Sequence, residues 1–109
     1  MYKCSVCGLV HWGEEPFEKC PKCGTNRENF KKLDEAEEAL IQNSRITNEL
    51  HMGLFEKLRE VEEICEAGSE INLDPGCYKI FNELLDIVYE KQQEILAEIS
   101  GHVNKGKWN

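Results

Sequence analysis

Two short stretches decide how the first third of this chain folds: Cys4-Ser5-Val6-Cys7-Gly8 and Cys20-Pro21-Lys22-Cys23-Gly24. Each sets two thiols on one tight turn. The glycine that follows permits the left-handed backbone that points amide N–H groups back at the sulfurs. With 12 residues between Cys7 and Cys20, Cys4, Cys7, Cys20 and Cys23 supply four soft ligands for one tetrahedral metal ion. Around these turns, Tyr2, Val6, Leu9, Val10, Trp12, Phe17 and Phe30 are numerous enough to wrap a metal and exclude water. Tyr2-Lys3-Cys4 and Leu9-Val10-His11-Trp12 read as short strands, and Gly13-Glu14-Glu15-Pro16 as a turn. Residues 1–32 are thus expected to form a metal-binding module too small to fold without its ion, so that Cys4→Ser unfolds it.

From Leu33 onward the pattern becomes helical. Residues 33–43 read as a linker helix with acidic residues in its first turn, where the helix dipole favours them. Asn43-Ser44 reads as a stop or a new N-cap. Within 44–109, Thr47, Leu50, Leu54, Leu58, Val61 and Cys65 recur at helical steps until Ala67-Gly68-Ser69, the expected end. Asp74-Pro75 opens a last helix as N-cap and first residue. Cys77, Phe81, Leu84, Val88, Ile95 and Ile99 mark its stripe, and Gly101 is the expected C-cap. Two helices of roughly 24 and 26 residues joined by a short loop predict an antiparallel hairpin followed by a basic tail. Phe55, Ile64, Ile80, Ile87 and Leu96 widen the stripes beyond what one partner helix covers, which predicts a homodimer whose hairpins form a four-helix bundle. The expected fold class is a small β metal module followed by a mainly α hairpin.

Charge divides along the same line. The net charge is −8, with residues 1–32 at +2 and residues 33–109 at −10. Such acidity excludes the clustered Lys and Arg that bind a phosphate backbone, so no nucleic-acid partner is expected. No stretch approaches the roughly 20 apolar residues that span a bilayer, so no membrane is expected either. Met1-Tyr2-Lys3-Cys4 lacks a charged-then-apolar leader, and a dense thiol cluster then implies a reducing, cytoplasmic setting.

The run Tyr2 to Gly8, together with Glu15-Pro16-Phe17-Glu18-Lys19-Cys20-Pro21-Lys22-Cys23-Gly24 and the aromatic Phe30, resembles the rubredoxin-like domain of rubrerythrin. The resemblance covers residues 1 to about 33, with Leu9 departing from the aromatic common at that position. It implies a mononuclear iron held by Cys4, Cys7, Cys20 and Cys23, acting as a one-electron carrier that meets a redox partner protein. The alternative is zinc in the same four thiolates, a structural ribbon whose hairpin serves as an adaptor for other proteins. The domain order departs from rubrerythrin, where the iron knuckle usually follows a di-iron bundle. That di-iron chemistry is not implied, because such a site needs Glu-x-x-His pairs. Asn48, Ile99 and Gly8 stand three residues before His51, His102 and His11. With no paired acid and base and no phosphate-binding Gly loop, the chain reads as an electron carrier rather than an enzyme.

Outside the knuckles, Cys77 lies in the first turn of the last helix, where the dipole lowers a thiol's pKa, and Cys65 lies near the end of the preceding helix. They read as a redox pair or second metal site, or more simply as small buried hydrophobes. Pairing Cys65 with Cys77 across the hairpin separates His51 from His102 by about 16 Å at the helical rise. The two histidines are then expected to share no site within one chain. His11 is expected to pack on the knuckle, and Val6, Leu9 and Pro21 to form the surface where a redox partner docks.

Overall fold

The computed structural model describes residues 1–109. They divide into two compact units, residues 1–43 with Asn109, and residues 44–108.

In the first unit, β1 (Tyr2–Cys4) is the central strand of a small antiparallel sheet. It pairs with β2 (Val10–His11) on one side and with β3 (Phe30–Lys32) on the other. The third strand was not among the expected elements: two adjacent lysines after Phe30 conceal a three-residue strand that has only one half-buried side chain. Val10, Leu33 and Ile41 form the buried cluster under the sheet, with Met1 packed against it. The amino group of Met1 pairs with Glu38. The helix that follows begins with a reciprocal cap. The Asp34 carboxylate accepts from the Glu37 N–H at 2.8 Å, and the Glu37 carboxylate accepts from the Asp34 N–H at 2.9 Å. This Asp-x-x-Glu capping box satisfies two of the amides a helix start leaves open.

Helix α1 runs from Glu35 to Ile71 without the break expected at Asn43-Ser44. Those residues cost a few tenths of a kcal/mol each in a helix interior, too little to stop one that buries Ile41 before them and Asn48 after. Nor does α1 end at Gly68. It stops at Asn72, which takes the left-handed conformation (φ 46°) that terminates helices. Helix α2 (Pro75–Asn104) opens as expected, with the Asp74 carboxylate accepting from the Cys77 N–H at 2.8 Å. It runs through Gly101 to Asn104 and is closed at left-handed Gly106 (φ 70°), where the Gly106 N–H bonds the Val103 carbonyl and the Lys107 N–H bonds the His102 carbonyl. That pair of bonds is the Schellman closure.

In the second unit, the part of α1 from Ser44 onward and α2 form the expected antiparallel hairpin. Val88, Ile95 and Cys65 are its most buried apolar residues. Its seam differs from the predicted stripes. On α1 it follows Asn48, His51, Phe55, Leu58, Glu62 and Cys65, while Leu50 and Leu54 stay exposed. Polar pairs cross it: Gln92 donates to Glu62 and the Tyr89 hydroxyl to Glu66, each at 2.6 Å. Because α1 continues past Gly68, the register slides, and Cys65 no longer faces Cys77. Gly68 is a seam residue, so close to the Phe81 ring that a Cβ there would collide with it.

Candidate metal centre

The two knuckles are built alike, 16 residues apart. The Cys4 N–H bonds the Leu9 carbonyl and the Gly8 N–H bonds the Cys4 carbonyl; the same bonds join Cys20 to Thr25 and Gly24 to Cys20, all at 2.8–2.9 Å. Both closing glycines are left-handed, Gly8 at φ 77° and Gly24 at φ 75°. The repetition aims two pairs of thiols at one point. Cys4 Sγ lies 3.7 Å from Cys23 Sγ, Cys7 Sγ lies 3.6 Å from Cys20 Sγ, and all four sulfurs lie within 4.8 Å of one another. A tetrahedral ion with metal–sulfur bonds of about 2.3 Å needs sulfurs about 3.8 Å apart. Two of the sulfur pairs stand at that spacing and all four lie close enough for the donor set to suit one thiophilic ion.

The thiols are unequal. Cys4 and Cys20 are buried, Cys7 is half-buried and Cys23 is exposed. Burial pushes the Cys20 thiol up, but the N–H groups of Cys23 and Lys22 outweigh it and hold it at about 7. Cys4 follows the same logic: burial raises it, the N–H groups of Cys7 and Val6 lower it, and the net shift is downward. At Cys23 the Thr25 N–H pulls down, while burial and the sulfurs of Cys20, Cys7 and Cys4 push the thiol up to about 12. Four sulfurs this close resist carrying four negative charges unless a cation joins them.

Around the centre, the His11 ring packs on Phe17 with centroids 3.9 Å apart, and Phe17 meets Phe30 edge-on at 6.3 Å. His11 thus packs within the module as expected. Trp12 and Val6, expected to help wrap the ion, are instead largely exposed. Arg27 bridges the second knuckle's approach by pairing with Glu15 at 3.0 Å and with Glu18.

The other residues singled out in the sequence lie in the hairpin. Cys65 is buried in the seam. Cys77 donates its thiol to the Asp74 carboxylate at 3.5 Å, and that negative neighbour raises its pKa, opposite to the lowering expected from the helix dipole. The expected separation of the histidines is overturned: the rings of His51 and His102 sit edge-on with centroids 6.4 Å apart. The register slide brings them together. His102 is buried, its Nδ1 lies 2.5 Å from Asn48 Oδ1 and its Nε2 lies 3.2 Å from the Glu98 carboxylate. Asn48 in turn donates to the Lys107 carbonyl at 2.9 Å. Sequence reasoning missed this network, because its only signal is a buried Asn at a helical seam position. The knuckle cysteines alone bring three or more possible ligands together.

Residues 2–31 match the family model of the rubrerythrin rubredoxin-like domain. Over 45 residues, 41% of this chain, the sequence is 36% identical to reverse rubrerythrin-1 of Clostridium acetobutylicum, and the aligned segment covers 25% of that protein. The chain thus spans about a quarter of the length of the curated relative it matches. No solved structure matches it. The paired knuckles, their glycine closures and the family match agree in assigning residues 2–31 as a rubredoxin-like, metal-binding module of the rubrerythrin type.

Proposed function

We propose that Cys4, Cys7, Cys20 and Cys23 hold one iron ion and that the protein carries single electrons in a reducing, cytoplasmic setting. The observation that carries this reading is the set of four sulfurs gathered within 4.8 Å of one another with one edge, Cys7 and Cys23, toward solvent. Iron in four thiolates supplies a reversible one-electron couple. The chain does the rest. The amides of Val6 and Cys7 at Cys4, and of Lys22 and Cys23 at Cys20, stabilise negative charge on the sulfurs and so favour the reduced, more negative state. Exposed Val6 and Pro21, with half-buried Leu9, form a small apolar collar where a redox partner's cofactor approaches. The hairpin pairs two copies of the chain. No helix is long and apolar enough to cross a membrane.

Metal content and the visible spectrum test this reading, on protein produced with ample iron and no added zinc. One iron per chain, with a red thiolate-to-ferric band that dithionite bleaches and air restores, is the expected result. Colourless protein with one zinc per chain overturns it and favours the structural adaptor.

A further inference from the structure

The hairpin has two unlike flanks. Beside the α1 seam, one row runs through Leu50, Leu54, Val61 and Ile64; the other runs through Glu49, Glu56, Glu63, Glu66 and Glu70. On α2, Ile80, Leu84, Ile87, Lys91, Glu94 and Glu98 follow one another at steps of four and three residues, which is a single row. The two apolar rows lie on the same side. A groove of about 460 Å³ is lined by Leu54 and Leu58 from α1 and by Lys91, Glu94 and Ile95 from α2.

We infer that this apolar flank, carried by Leu50, Leu54, Ile64, Ile80, Leu84 and Ile87, is the surface on which a second copy of the chain docks. The inference rests on the pairing of copies proposed above and assigns its surface. These six side chains are each 41–67% exposed. Together they present on the order of 600 Å² of apolar surface per copy, close to the roughly 800 Å² per partner of a stable interface and at the upper limit of what monomers leave open.

Charge selects the occupant. Residues 33–109 carry −10, so two copies repel unless they meet where charge is balanced. The apolar flank comes closest to that balance: Lys91 pairs with Glu94 at 2.7 Å and Lys57 with Glu60 at 3.3 Å, which leaves Glu98 as the one carboxylate of its row without a lysine. A basic partner is drawn to the glutamate row instead, and an anionic lipid surface is repelled by both. An identical hairpin matches the flank in length and offers the same apolar rows in return, as a two-fold interface requires.

Light scattering on the metal-loaded full chain tests this. The wild type is expected to be dimeric. Ile64→Glu with Ile87→Glu is expected to raise the dimer Kd roughly a hundredfold or more by placing carboxylates in the interface. Met52→Glu with Leu96→Glu, exposed positions on the opposite flank, is expected to stay dimeric. A monomeric wild type overturns the inference together with the pairing of copies. A dimer that survives the Ile64/Ile87 change overturns only the choice of face. Should that variant lose helix content, amine cross-linking of mixed isotopically heavy and light wild type decides. Links between copies at Lys57 and Lys91 are expected, and links that avoid both overturn the face. The iron spectrum is read separately, so loss of the dimer leaves the electron-carrier reading standing.

Discussion

Replacing Gly8 by alanine isolates the energy of the knuckle backbone from its packing. At φ 77° an L residue occupies the left-handed region, and an added Cβ meets nothing within 4 Å. The cost is therefore conformational alone, about 1–2 kcal/mol. Because metal binding and folding of so small a module are one equilibrium, that cost reappears as metal affinity weakened roughly 5–30-fold. Gly24→Ala, at φ 75° in equally open space, should behave the same way, and the double variant should lose about the product of the two factors, because the turns share no contacts through these glycines. Asparagine tolerates the left-handed region better than alanine, so Gly8→Asn should retain more affinity than Gly8→Ala. Competition with a chromophoric chelator measures all four proteins. Unchanged affinity in Gly8→Ala, or an asparagine variant worse than alanine, would refute the claim that these glycines act through backbone conformation.

Four further outcomes are expected. Gly53 is an exposed helix residue with open space around its Cα, whereas a Cβ at Gly68 meets the Phe81 ring. In urea denaturation Gly53→Ala should stabilise the hairpin by about 1 kcal/mol, while Gly68→Ala should destabilise it by about 1–3 kcal/mol; the same sign at both sites would contradict the seam assignment. Asn48→Ala strands His102 Nδ1 and the Lys107 carbonyl, and should cost about 2–4 kcal/mol in the same assay. The Cys77 N–H holds the Asp74 carboxyl below its ordinary value of 3.8. A depressed carboxyl stabilises the fold above its unfolded pKa, so this contribution should be complete at neutral pH and vanish as the pH falls below that ordinary value. The same carboxylate raises the Cys77 thiol, so Asp74→Asn should speed alkylation of Cys77 at neutral pH and leave buried Cys65 unreactive. Slower alkylation in the variant would show that the carboxylate does not control the thiol.

The knuckles were legible because each is a local object: two ligands, one turn and one glycine within five residues fix their own geometry. The start of α2 was legible for the same reason, since Asp74-Pro75 acts on the backbone beside it. What failed was the decision between neighbours that are distant in sequence. Gly68 and Gly101 looked like helix ends, yet Gly68 is small because the Phe81 ring lies over it, a fact held on the other helix. The hairpin's register therefore differs from a Cys65–Cys77 pairing, with Gly68 against Phe81 and His51 beside His102. The seam itself was hidden, because α1 carries two rows at helical spacing. The buried one contains Asn48, His51 and Glu62, polar residues made tolerable by partners on α2 and the tail, while the more apolar row through Leu50 and Leu54 faces outward. Hydrophobic periodicity identifies an amphipathic helix, but it does not say which of two adjacent rows finds the partner. The Asp34–Glu37 capping box, a four-residue signal that the expected helix over 33–43 passed over, marks the true beginning of α1.

The unequal burial of the four cysteines has a kinetic meaning. An ion held by two sheltered and two outward sulfurs is open to attack from one side only. A competing chelator or an oxidant reaches Cys23 first and Cys7 next, while Cys4 and Cys20 stay covered under their amide hydrogen bonds. Exchange of a bound ion is then expected to follow that order, with the bonds to Cys4 and Cys20 the last to break.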